Sequence, residues 1–253
     1  MNRRQFLNAT ALTAAATLGH DELAGAGDGP RRIEAVAFDG FAIFDPRPIA
    51  AAAEAAFPGH GAALMTVWRT RQFEYCWLRT LTRSYVDFWE VTKDALAFAC
   101  AANNIELTPA NRDRLMDMYL QLKPWPDVAA VLQSLRSAGI RLAFLTNFTA
   151  AMLDANIRGA GFDALFDARL STDSVSAFKP DPRSYRMAVD HFRLPRTSIV
   201  FVAFGGWDAA GAKRFGFPVY WSNRLSQPAE ELGATTDRTA AGLEGLPAFV
   251  AGR

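Results

Sequence analysis

Apolar positions along this chain change rhythm twice. Residues 33–38 form a short, mostly apolar run that ends on an acid, Asp39. A run of that length suits a strand of a parallel sheet, buried on both faces, with Asp39 at its carboxyl end. The two prolines in Phe44-Asp45-Pro46-Arg47-Pro48 then predict a break in regular structure, because proline donates no backbone hydrogen bond. From about residue 49 to 123 there is no strand pattern. Apolar residues recur there at three- and four-residue intervals and predict helices over 50–56, 62–81, 86–102 and 109–122. Thr108-Pro109 gives the last of these a cap and a first-turn proline. After Trp125-Pro126 strand and helix alternate. Helices are expected over 127–138, 150–159 and 182–192, and strands over 141–145, 168–170, 198–203 and 218–221. A further helix follows Gly205-Gly206-Trp207-Asp208. Residues beyond Leu225 read as a surface tail with a short helix near 243–250.

Such alternation predicts an α/β fold: a doubly wound parallel-sheet core with an inserted all-helical cap domain. The core is assigned to residues 30–47 and 125–253, and the cap to 48–124. Ligands of open parallel sheets bind outside the carboxyl ends of the strands. The insertion leaves the core at that edge, so it is placed to cover a site there and exclude water.

Composition adds little to this picture until the first residues are considered. The chain has 253 residues, of which 50% are hydrophobic and 21% charged, with a formal net charge of +1. That balance argues against nucleic acid or an anionic membrane as partner. No stretch reaches the about 20 apolar residues that span a bilayer. At the N-terminus, Asn2-Arg3-Arg4-Gln5-Phe6-Leu7 precedes a mild Ala/Thr/Leu run over 9–18, and Ala24-Gly25-Ala26 offers small residues for cleavage. Paired arginines before a weakly apolar run look like a twin-arginine export signal over residues 1–26. The expectation is a periplasmic protein, or a cytoplasmic one if the signal is not used. Cys76 and Cys100 both fall in apolar helical stretches and are expected as buried free thiols, although an oxidising compartment permits a disulfide. His20, His60 and His191 are too dispersed for a zinc site, and no metal or cofactor is expected.

Four polar clusters follow predicted strands: Asp39, Thr146-Asn147, Lys179 and Asp208. Singly, each has a plainer reading. Asp39 suits a turn, Lys179 a solvated loop, Asp208 a helix cap after Gly206. A parallel sheet, however, would bring all four to one edge.

Their order resembles the haloacid-dehalogenase superfamily. The matching pieces are Val36-Ala37-Phe38-Asp39, Leu145-Thr146-Asn147, Phe178-Lys179-Pro180-Asp181 and Gly206-Trp207-Asp208. Within it, Trp68-Arg69-Thr70-Arg71-Gln72-Phe73-Glu74-Tyr75 and Tyr85-Val86-Asp87-Phe88-Trp89 are similar to the cap helices of the type II group, the (S)-2-haloacid dehalogenases. The resemblance implies a Rossmann-like core with a helical cap, a 2-haloacid as small-molecule partner, and a homodimer. It makes Asp39 the nucleophile that displaces halide and forms an aspartyl ester, which water then hydrolyses. Lys179 would keep Asp39 ionised, and Asp208 would orient that lysine and help activate the water. Arg69, or its neighbour Arg71, would meet the substrate carboxylate or the halide. Thr146 and Asn147 would donate hydrogen bonds to the same groups. Phe41, Phe88, Phe148 and Trp207 would wall the pocket, and Tyr185 would hydrogen-bond near Lys179 and join the substrate- and halide-binding residues.

Departures from the family pattern leave alternatives open. Phosphatases of the superfamily need a second acid two residues after the nucleophile. Phe41 stands there, and an aromatic ring cannot protonate a leaving group. Ala42 and Ile43 replace glycine and threonine, while Ala203 and Gly205 replace a serine and an asparagine. A small-molecule phosphatase and a non-catalytic binding homologue are the competing readings.

Overall fold

The computed structural model describes residues 32–252; the expected export signal lies outside them. The first strand, β1, spans Ala35–Phe38 and is fully buried. It sits in a six-stranded sheet with β4 (Arg141–Thr146), β5 (Ala168–Ser171), β6 (Ile199–Ala203), β7 (Val219–Ser222) and β8 (Arg238–Ala240), in the order β5-β4-β1-β6-β7-β8. Every pairing in this sheet is parallel. Successive side chains of a strand face opposite ways, and here both ways are covered. Val36 and Phe38 enter one core, with α6 (Val128–Ser137) and α7 (Ala150–Ala160). Ala35 and Ala37 enter the other, with α8 (Pro182–Phe192) and α9 (Gly206–Phe215). This is why β1 reads as an uninterrupted apolar run rather than as an alternating one.

Chain order reverses at β1. The chain crosses to β4 and β5 on one side, then returns to place β6 on the other. The carboxyl ends of β1, β4 and β6 therefore surround a topological switch point, where a crevice opens.

Between β1 and β4 the chain leaves the sheet. A single helical turn, α1 (Gly40–Ile43), follows Asp39, whose side chain caps it. β2 (Phe44–Asp45) then pairs antiparallel with β3 (Lys123–Pro124), so a two-residue ribbon closes the base of the excursion. Between these ribbon strands lie the helices α2 (Arg47–Ala56), α3 (Gly61–Leu81), α4 (Phe88–Ala102) and α5 (Pro109–Asp117). The long second and third pack along each other, with Trp68, Cys76, Val91 and Ala95 buried. Trp68 donates its indole N–H to the Thr92 carbonyl at 2.9 Å. No described helix is long and apolar enough to cross a membrane.

Three local expectations are corrected. The break at the prolines is a single residue: Pro46 takes the N-cap position between the strand ending at Asp45 and the helix starting at Arg47, and Pro48 falls in that helix's first turn, where no N–H is needed. The helix expected over 109–122 ends at Asp117, and a 3₁₀ turn, Met118–Leu120, completes the segment. The residues after Leu225 are no loose tail, since β8 extends the sheet and the helix Leu246–Ala251 packs on α6. Ion pairs tie this segment down. Arg224 and Asp127, both nearly buried, meet at 2.9 Å, and Asp127 also accepts the Leu243 N–H. Lys213 pairs with Asp237 at 2.8 Å, beside the start of β8. Cys76 and Cys100 are both buried and free, as expected.

Candidate active site

Asp39 ends β1 at the switch point and is 8% exposed. Its Oδ2 accepts the Phe41 N–H at 3.0 Å. Its Oδ1 accepts from Lys179 Nζ at 2.7 Å, and the same ammonium donates to Asp208 Oδ2 at 2.5 Å. Lys179 and Asp208 are each 1% exposed. Charges so buried are tolerated only when paired, so this triad is the electrostatic centre of the molecule. Tyr185 donates its hydroxyl to Asp208 Oδ1 at 2.7 Å, from the side away from the crevice.

Titration follows from this packing. Burial opposes the Lys179 ammonium, but Asp208 and Asp39 outweigh it and hold its pKa above the ordinary lysine value. Burial also dominates at Asp208. It raises that carboxyl to about 6, with Lys179 opposing the shift and Asp39 reinforcing it. Burial and the neighbouring Asp208 raise Tyr185 well above its usual range, so its hydroxyl stays neutral.

The loop that carries Lys179 is held from two sides. Its own N–H donates to Asn147 Oδ1 at 3.1 Å, and Thr172 donates to the same oxygen at 3.4 Å. From the helical excursion, Thr80 Oγ1 accepts the Phe178 N–H at 3.0 Å, and Tyr85 donates to Asp173 at 2.5 Å. The Lys179–Pro180 peptide is cis.

A cavity of about 340 Å³ opens over Asp39. Phe41, Phe88, Phe148 and Trp207 wall it, with Thr146, Asn147 and Asp208 at the sheet edge and Arg69 opposite. Arg69 is the one cation lining it among the described residues. The guanidinium carbon lies 4.8 Å from the Phe41 ring centre and 4.9 Å from that of Phe73. Arg71 points elsewhere, pairing with Glu74 and stacking on Phe98. The Asn147 amide nitrogen has no protein acceptor among the described residues, because Asn147 Oδ1 takes the structural bonds. No cluster of three or more potential metal ligands occurs among the described residues.

One predicted contact is corrected. Tyr185 does not line the cavity; it lies behind Asp208, in the core beneath α9. Its role is to orient that acid rather than to touch a ligand. Two of the unusual replacements do not line the cavity. Ile43 and Ala203 are fully buried in the two cores, where apolar side chains belong. Gly205, by contrast, lines the cavity.

Several contributors were missed in the sequence. Gln72 accepts from Arg69 at 2.7 Å and donates to Thr92 at 2.6 Å, fixing the guanidinium from the helix core. Phe73 joins the wall. Both were discoverable, since positions three and four after Arg69 share its helical face. Phe204 and the segment from Gln227 to Glu230 also line the cavity. The latter segment starts from reciprocal bonds between Asn223 and Gln227, beside Arg224, which is paired with the distant Asp127.

The arrangement provides a desolvated carboxylate with a fixed cation behind it, a second buried acid, apolar walls and a cation across the space. It is equipped for nucleophilic attack by Asp39 on a small anionic molecule.

Comparison with known proteins gives a consistent answer. The family model of haloacid dehalogenase-like hydrolases matches residues 10–216. The (S)-2-haloacid dehalogenase of Pseudomonas sp. (strain YL) is 40% identical over 81% of this chain and 89% of its own length. Haloacetate dehalogenase H-2 of Moraxella sp. (strain B) is 36% identical over 87% of this chain and 99% of its own. The structure of the L-2-haloacid dehalogenase from Xanthobacter autotrophicus with chloropropionic acid covalently bound superposes with a TM-score of 0.81. It is 34% identical and covers 87% of this chain and 99% of that one.

Proposed function

This chain belongs to the haloacid dehalogenase-like hydrolases, and from that premise we propose that it hydrolyses short (S)-2-haloalkanoic acids to 2-hydroxy acids. The Asp39–Lys179–Asp208 triad beneath an aromatic cavity carries the reading. Arg69 and the Asn147 amide receive the substrate carboxylate and the departing halide. The Asp39 carboxylate attacks the halogen-bearing carbon from the face opposite the halogen, so configuration inverts and an aspartyl ester forms. Lys179 pairs with Asp39 and aims it, while the aromatic walls strip it of water. Hydrolysis then occurs at the ester's side-chain carbonyl. Asp208, raised to about 6, is poised to take a proton from water near neutral pH.

Phe41 weighs against phosphatase chemistry. Its ring packs edge-on to Phe148 at 4.8 Å and under Arg69, so the position that would hold a second acid is part of the apolar wall. Halide release from chloroacetate and (S)-2-chloropropionate is expected for the wild type and not for Asp39→Asn. Release of phosphate from small phosphoesters without any halide would overturn the assignment.

The reading carries two further parts. Residues 1–26 are a twin-arginine signal, supported by Arg3-Arg4 and the run that follows, and the mature protein is periplasmic. Fractionation of cells expressing the wild type and Arg3→Lys/Arg4→Lys tests this, with retention of the variant in the cytoplasm expected. The helices between residues 48 and 124 act as the cap over Asp39.

A further inference from the structure

Three of the six tryptophans, Trp68, Trp125 and Trp221, donate their indole N–H to the carbonyls of Thr92, Phe41 and Phe204. Trp77 is buried with its N–H unpartnered and does not line the cavity, whereas Trp207 does line it. Its ring is fixed against the cap by Phe73 and Trp77, with ring centres at 5.2 and 5.4 Å. A Cβ built on Gly205 would lie 2.8 Å from Trp207 Nε1, so the indole nitrogen occupies the space that a side chain at 205 would need. Gly205, Trp207 and Asp208 line the same cavity as Asp39. The Trp207 N–H has no acceptor among the described residues.

We propose that Trp207 Nε1–H holds the hydrolytic water beside Asp208, which makes Trp207 a catalytic residue of the ester-hydrolysis step. The inference rests on the haloacid reading above. Phe204, Gly205 and Gly206, which line the cavity ahead of Trp207, carry no side-chain donor. Among the described cavity-lining residues in the first turn of α9, Gly206, Trp207 and Asp208, the Trp207 indole supplies the side-chain N–H. A halide there would face the Asp208 carboxylate and be repelled. Water suits the position, because it accepts from the indole and donates to the acid. Each Asp208 oxygen already takes one bond, from Tyr185 or from Lys179, and retains a further lone pair.

In this step the water oxygen bonds to the Asp39 carboxyl carbon, and one of its protons passes to Asp208. The tetrahedral intermediate collapses by breaking the bond to the substrate oxygen. That oxygen takes the proton from Asp208 and leaves as the hydroxyl of the 2-hydroxy acid. Asp39 keeps one oxygen from water, and the second water proton, left on its carboxyl, passes to solvent as the carboxylate is regained.

Trp207→Phe keeps the ring stack and deletes the N–H. Steady-state halide release is expected to fall by about 10²–10³, the usual consequence of losing one positioned donor. The first turnover should still release a burst of halide, and intact-protein mass should show the ester accumulating on Asp39. Gly205→Ala pushes the indole aside without altering it and should trap the same ester. Adding Gly205→Asn to Trp207→Phe places an amide donor in the vacated space and should restore turnover. Wild-type turnover in Trp207→Phe, or a joint loss of burst and turnover in both single variants, overturns the inference while leaving the dehalogenase reading intact. A wild type that releases no halide overturns both.

Discussion

Replacing Lys179 with methionine keeps a side chain of similar length in a position that is 1% exposed, and removes the cation between two buried carboxylates. At an effective dielectric of about 20, unit charges at the observed 2.7 and 2.5 Å contacts attract by roughly 6 kcal/mol each. Desolvating three ions offsets most of that, so the measurable cost is that of breaking a buried pair, roughly 3–5 kcal/mol. The cost depends on pH, and its sign can be worked out. Asp208 already titrates at about 6, raised by burial and by Asp39, with Lys179 pulling the other way. Without Lys179 its folded pKa climbs further. A carboxyl raised in the fold contributes stability below its unfolded pKa and loses it as pH rises through the folded value. Lys179→Met should therefore be closer to wild type at pH 5 than at pH 8. Urea unfolding midpoints at the two pH values measure this, and initial halide release should drop by at least about 10²–10³. An equal stability loss at both pH values, or near-wild-type halide release, would refute the assignment of Lys179 as the shared counter-ion.

Other perturbations test the surroundings of the triad. In the wild type, turnover should rise with pH through about 6 as Asp208 ionises. Tyr185→Phe removes a bond that favours the ionised acid, so the acid limb of its pH–rate profile should move upward. Arg69→Met deletes the cavity's cation; losing hydrogen bonds to a charged group, about 1.5–3 kcal/mol, should raise KM by about 10–100-fold in initial-rate measurements. Gly211→Ala would bring a Cβ within 2.6 Å of both Pro180 Cβ and the Tyr185 hydroxyl. Thermal or urea unfolding should show a loss of about 1–3 kcal/mol from overpacking.

Much of the active site was legible because backbone geometry puts it where sequence pattern can find it. An apolar run buried on both faces ends on Asp39, and parallel strands deliver Thr146, Asn147 and Asp208 to the same edge. Helical periodicity located the cap helices for a similar reason: Trp68, Val91 and Ala95 must face inward together. Prolines misled, since the same residue that breaks a helix interior also starts one, and only position distinguishes the two at Pro46 and Pro48.

What the sequence by itself determined is the alternation of elements, the identity of the charged groups and the absence of an acid at position 41. These depend on local order along the chain. The tertiary structure alone decided which neighbours those groups meet. It turned Tyr185 away from the cavity and onto Asp208, sent Arg71 to Glu74 while holding Arg69 between aromatic rings, brought residues 227–230 to the cavity, and joined Arg224 to the distant Asp127. Such pairings join positions far apart in the chain, and their strength comes from shared burial, a property that no local window of sequence contains.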